Sequence, residues 1–233
     1  MGNVNTGHSD PFAELIPGCT SAAAGCMWTV RSACGPTHPS GSGTWCPEWS
    51  WPTPGATDAH KLLNAPYDSG LAICRDQADL RRATAFDAAS FTTDAERPAA
   101  HLGLQMSQRA RGVEMWALLA SRSRTGIAAL VDQLCAHASR MSDLLAAAGA
   151  EVLVPTALNQ VLVRFDDDAT TDAVIAAVQA DRTCWAGGTT WHGLPAMRIS
   201  VRDQATTGDD IETAARAIIG CWSDIQHGRS DLV

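Results

Sequence analysis

The clearest periodicity runs through the second half of the chain. Ile127, Leu130, Leu134, Met141 and Leu145 recur at the spacing of one helix face. The pattern predicts a helix from Gly126 to Gly149, where a glycine can take the left-handed conformation that ends a helix. Ahead of it, Leu104, Val113 and Trp116 trace an apolar stripe that predicts a helix over residues 101–121. Strand-like runs follow at 151–155 and 160–165, the second with clean alternation. A Thr/Asp-rich cap then opens a short helix over 169–181. Residues 183–185 and 196–201 read as strands, and 209–222 as a closing helix with acids in its first turn. Helices mixed with a few strands in this order predict a small α+β domain over residues 106–233. Upstream, 70–74 has the type of a short buried strand, and 86–98 lacks any period and reads as a loop.

Residues 17–57 follow a different rule. They contain no Leu, Ile, Phe or Asp, yet hold four of the eight tryptophans and four of the eight cysteines. A flexible linker has no use for four tryptophans, and a packed domain needs aliphatic side chains. This stretch is therefore expected to be irregular, inside a first domain spanning residues 1–105.

Composition narrows the function. The net charge of -8 and scattered arginines argue against nucleic acid or an anionic membrane as partner. No apolar run is long enough to span a bilayer, and no export signal opens the chain, so a cytoplasmic protein is expected. Cys74, Cys135, Cys184 and Cys221 sit singly in apolar stretches and read as small buried hydrophobes. Cys19, Cys26, Cys34 and Cys46 cluster without the C-x-x-C spacing of structural zinc, so no metal is expected. Among 17 basic residues, Lys61 alone is a lysine, in a composition that otherwise favours arginine.

Lys61 lies in Asp58-Ala59-His60-Lys61-Leu62-Leu63-Asn64-Ala65-Pro66-Tyr67-Asp68-Ser69-Gly70. A cofactor-binding lysine must sit at the end of an element beside polar groups. It must also be desolvated enough to spend time as the neutral amine. The run resembles the D/N-x-H-K-W-L-x-x-P-F/Y-D-C/S-G signature of the group II amino-acid decarboxylases, which use pyridoxal phosphate (PLP). Gln108-Arg109-Ala110-Arg111-Gly112-Val113-Glu114-Met115-Trp116 is similar to the family's R-R-x-R-x-L-K-x-W helix. Gly2-Asn3-Val4-Asn5-Thr6-Gly7 with Asp10-Pro11 is similar to its glycine turn at the cofactor.

The resemblance implies an α/β fold: part of a fold-type I PLP-dependent transferase large domain, followed by the small α+β C-terminal domain. It implies that Lys61 binds PLP as a Schiff base, that His60 and Asp58 line the phosphate end, and that Asn3 lies near substrate or ring. Arg198 matches a strand arginine that binds a substrate carboxylate in related enzymes, or is an ordinary strand-end arginine. An amino-acid substrate, carboxy-lyase chemistry and a homodimer follow from the same resemblance. The alternatives are an aminotransferase or other carbon–carbon lyase on the same cofactor, and a cofactor-free remnant that pairs with a full-length relative.

Four departures bear on activity. Leu62 replaces the family's tryptophan, and the sole tyrosine, Tyr67, lies in the lysine motif rather than in the 86–98 loop. The family's H-V-D-G/A-A-F/Y strand supplies an aspartate to the pyridinium nitrogen, but no aspartate occurs between Asp10 and Asp58. The chain also opens at the glycine turn, so the preceding half of the large domain is expected to be missing and the Lys61 amine to be exposed.

The codon table offers a reason for the missing aspartate. When the last base of each codon is read with the first two of the next, Met27 and Trp28 encode valine. Trp28 and Thr29 then encode aspartate, with histidine or tyrosine before them from Cys26. A frame-shifted segment near residues 18–55 is therefore expected, and the chain is expected to be an inactive or impaired fragment.

Overall fold

The computed structural model describes residues 5–6, 28–30, 55–73, 76–84, 103 and 108–230. Two sheets organise them. The first has the order β1 (Trp28–Val30), β2 (Gly55–Asp58) and β3 (Gly70–Ile73), with β1 parallel and β3 antiparallel to the central strand. The second is a four-stranded antiparallel sheet of order β4-β5-β7-β6. Its strands are β4 (Glu151–Val152), β5 (Gln160–Arg164), β6 (Gly187–Trp191) and β7 (Leu194–Ser200). The helices are α1 (Gln77–Thr84), α2 (Arg111–Ala147), α3 (Asp168–Asp181) and α4 (Gly208–Ser230).

The main core lies between one face of the second sheet and its helices. Leu134, Met141 and Leu145 of α2 meet Val161 and Val163 of β5, Met197 of β7, Val174 and Val178 of α3, and Ile218 of α4. All are essentially removed from water, which is the chief favourable term in folding. Trp222 packs on Phe165 with ring centroids 5.2 Å apart, and its Nε1 donates to Asp166 Oδ2 at 2.7 Å. The aromatic body is thus buried while its polar edge is satisfied. Asp167 caps α3 by accepting from the Thr170 amide at 2.6 Å, and Gly149 ends α2 with φ +99°.

The structure corrects several sequence expectations. The stretch 17–57 is not wholly irregular, because β1 and most of β2 lie inside it. A short ladder needs paired backbone rather than a long apolar face, and Trp-Thr-Val is a β-prone triplet. Residues 7–27 and 31–54 lie outside the described residues, as do 86–98. The first helix starts at Arg111, with the non-helical Ser123 (φ 59°, ψ 175°) separating its two segments. Val113 and Trp116 are exposed, and the buried side chain of that segment is Met115, which faces the lysine loop.

The strand expected at 183–185 falls instead at Gly187–Trp191. His192 and Gly193, both at positive φ, form a two-residue hairpin turn that pairs Trp191 with Leu194 and so sets the register. Helix α1, opened by Asp76 Oδ1 accepting from the Ala78 amide at 2.7 Å, has no counterpart in the sequence reading. Cys135 is buried, whereas Cys184 and Cys221 are half-buried against the core.

Candidate functional site

Strand β2 ends at Asp58, and the chain turns back through residues 59–69 into β3. The turn is built around the Ser69 carbonyl, which accepts from the amides of Ala59 at 2.9 Å and His60 at 3.2 Å. Asn64 N donates to Lys61 O, and Ala65 N to Ala59 O, each at 3.0 Å. The apolar residues flanking the lysine pin it in two directions. Leu62 enters the main core, while Ala59, Leu63 and Ala65 pack with Met115 of α2. Leu62 is thus a core residue at 3 % exposure.

Asp58, His60 and Lys61 are brought together by this turn. Lys61 Nζ is ion-paired with Asp58 Oδ2, and the two side chains are 29 % and 32 % exposed. The amine is therefore neither open to solvent, as the sequence led one to expect, nor enclosed. His60 Nδ1 lies 2.8 Å from the Ser69 carbonyl. A carbonyl accepts, so Nδ1 carries the hydrogen and neutral His60 has Nε2 as an acceptor. Tyr67 meets the His60 ring edge-on at 4.7 Å and is 82 % exposed. Ser69 is buried, and among the described residues its Oγ has no hydrogen-bond partner.

The Arg-rich motif ahead of α2 closes the far side of the loop. Arg111 binds Asp68, and Arg109 Nη2 donates to the Tyr67 carbonyl at 3.3 Å while its Nη1 donates to Glu114 Oε1 at 2.6 Å. The guanidinium of Arg111 beside Asp68 is the first cause holding that carboxyl below its ordinary value.

Arg198 lies apart from this cluster, on β7. Its register partners are Leu162 and Gly187, and its side chain is half-buried on the sheet face away from the helices. Among the described residues Arg198 forms no ion pair. Asn3 lies outside the described residues. Its neighbour Asn5 accepts from Thr189 Oγ1 at 3.0 Å. Thr189 pairs with Ala196, so Asn5 meets the same sheet face as Arg198. The sequence reading missed the structural parts of Asn64, Tyr67 and Ser69. Their presence within the lysine motif was the available signal. Among the described residues no cluster of His, Cys, Asp and Glu could hold a metal, and no helix is long and apolar enough to cross a membrane.

The architecture is α/β, and solved structures share it. The TDC of Oryza sativa, solved with PLP and tryptamine, matches with TM-score 0.83 at 16 % identity, over 96 % of this chain and 49 % of its own. The tryptophan decarboxylase of Catharanthus roseus, solved with L-tryptophan, matches with TM-score 0.79 at 16 % identity, over 96 % and 48 %. Mouse CSAD in its apo form matches with TM-score 0.80 at 15 % identity, over 94 % and 50 %. No family model and no curated protein sequence matches the chain. The chain shares the fold of these solved proteins and spans about half of their length.

Proposed function

We propose that this chain is the lysine-bearing portion of a PLP-dependent amino-acid decarboxylase, with Lys61 as the cofactor lysine. The observation that carries the reading is the Lys61–Asp58 pair on a turn held by two hydrophobic clusters, in a fold shared with such enzymes. The Lys61 amine fits the carbonyl carbon of PLP, with His60 and Asp58 beside it on the same turn toward the phosphate end. Bound PLP supplies an electron sink for the charge left when carbon dioxide departs. The chain's own residues do the rest. Asp58 orients the Lys61 ammonium, and can hold its proton when the amine reacts as the neutral base. His60, fixed through Nδ1–H, accepts a transferable proton at Nε2, and only with that proton aboard does Nε2 donate to a phosphate. Asn3 serves the ring or substrate, and Arg198 offers a planar fork for a substrate carboxylate. Residues 1–105 form the cofactor-bearing domain and 106–233 the small one; a cytoplasmic homodimer completes the reading.

As written, the chain is an impaired form, because no aspartate occurs between Asp10 and Asp58. The frame-shift reading places valine-aspartate at the codons of β1, the strand paired in parallel with the one that leads to Lys61. An aminotransferase or another carbon–carbon lyase is the second reading, favoured by Tyr67 being the sole tyrosine and lying outside the 86–98 loop.

The test is carbon dioxide release from a panel of amino acids with PLP, comparing the chain with Lys61→Ala. No Lys61-dependent turnover is expected from this chain. Release over many turnovers that vanishes in Lys61→Ala contradicts its assignment as an impaired form. Lys61-dependent keto-acid formation without carbon dioxide selects the aminotransferase instead.

A further inference from the structure

Asn64 stands where the lysine loop meets the second sheet. Its φ of 55° is a left-handed conformation that Asn tolerates better than most residues. That backbone aims its amide into a cluster of main-chain groups. The two Nδ2 hydrogens serve three carbonyls, so one of them is shared: Lys61 O at 3.2 Å, Leu62 O at 3.0 Å and Arg202 O at 2.7 Å. Oδ1 accepts from the Gln204 amide at 3.0 Å. Two of these contacts lie inside the lysine turn. The other two reach the loop that follows β7, the strand bearing Arg198. Gln204 is in turn bound through Oε1 by Arg122, the residue before the break in α2 at Ser123. One side chain therefore links the lysine turn, the exit of β7 and the helix break.

No neighbouring side chain could substitute for it. Ala65 has no polar atoms, and Leu62 and Leu63 are committed to separate apolar clusters. A donor and an acceptor on one short planar group are what the site demands, and Asn supplies both.

We propose that Asn64 is a positioning residue, which sets Lys61 against the β7 loop by holding the carbonyls on both sides at once. The proposal rests on the reading of Lys61 as the reactive amine, but its structural half can be measured without PLP. Three forms are compared: the parent chain, Asn64→Ala and Asn64→Asp. Aspartate keeps the Oδ1 acceptor for the Gln204 amide and removes the donor to the three carbonyls.

Amide hydrogen exchange, read residue by residue, is the first measurement. In Asn64→Ala the amides of Asn64, Ala65 and Gln204 are expected to exchange about tenfold faster, as loss of one or two net hydrogen bonds implies. In Asn64→Asp the amide at Gln204 stays slow while those at 64 and 65 speed up. The second measurement is trinitrophenylation of Lys61 by peptide mapping, expected to be several-fold faster in both variants. The midpoint of thermal unfolding, which reports the main core, is expected to stay within a few degrees of the parent.

Unchanged exchange at Gln204 in Asn64→Ala overturns the proposal. So does a fall in the thermal midpoint that accounts for the faster labelling, because Asn64 is then a stabilising residue without a positioning role. If the exchange pattern appears as described but the parent chain takes no PLP at Lys61, the cofactor reading fails and the staple stands.

Discussion

Arg111 holds Asp68 by a fork. Nε donates to the Asp68 carbonyl at 2.8 Å and to Oδ1 at 3.0 Å, and Nη2 lies 3.3 Å from Oδ2. The partners are 43 residues apart and belong to two sequence motifs, the lysine run and the Arg-rich segment that opens α2. Their meeting closes the end of the lysine loop opposite Asn64. The planar guanidinium matches backbone and carboxylate oxygens together, which an ammonium cannot do.

Replacing Arg111 by Lys is therefore expected to loosen the loop nearly as much as replacing it by Ala. The effect on global stability is small, since both partners are partly exposed. Faster amide exchange at Ala59 and His60, which donate to the Ser69 carbonyl, in both variants, with little change in unfolding midpoint, is the expected result. Full protection in Arg111→Lys would show that charge alone suffices.

The same contact sets a pH dependence. The carboxyl of Asp68 titrates below its ordinary value of 3.8, first because Arg111 hydrogen-bonds it, then because of a backbone hydrogen bond. A depressed carboxyl contributes its stabilisation fully above the unfolded value and loses it as pH falls through the folded one. The clamp is thus intact at neutral pH and opens in acid below about 3.8. An NMR titration of the Asp68 carboxyl should show a midpoint under that value, returning toward it in Arg111→Ala. A parent midpoint at or above 3.8 contradicts the assignment.

Thiol chemistry gives a readout of the core. Burial, with a smaller contribution from Asp132, pushes Cys135 up to about 11. At pH 8 its thiolate fraction is then too small for ready alkylation. Peptide mapping after iodoacetamide is expected to find Cys135 unmodified in the folded chain and modified in denaturant. Prompt modification under native conditions would mean that the α2–β5 core opens easily.

Much of the second sheet and its helices was legible in the sequence because each element repeats a simple period. The stripe from Ile127 to Leu145, the alternation at 160–165 and the acids opening α4 each named an element correctly. What escaped was set by tertiary contact or by turn geometry. Val113 and Trp116 look like a core stripe, but Met115 faces the lysine loop and leaves them exposed. The register of β6 depends on the His192–Gly193 turn, whose positive φ values no period reveals. At the candidate site, Asp58, His60 and Lys61 were legible as a motif. The Asn64 staple and the Arg111–Asp68 clamp were not, because each joins segments far apart in sequence.

The central claim is that Lys61 is the amine that takes PLP, and the composition makes a clean measurement possible. Lys61 is the sole lysine, so the N-terminal amine is its sole competitor among ordinary primary amines. The folded chain is incubated with limiting PLP, or with pyridoxal lacking the phosphate, then reduced with borohydride and mapped by peptide mass. The account predicts saturable labelling on Lys61, several-fold stronger with PLP than with pyridoxal and reduced in Asp58→Asn and His60→Ala. Labelling confined to the N-terminal amine, or equal on Lys61 with and without the phosphate and unaffected by Asp58 and His60, would contradict it.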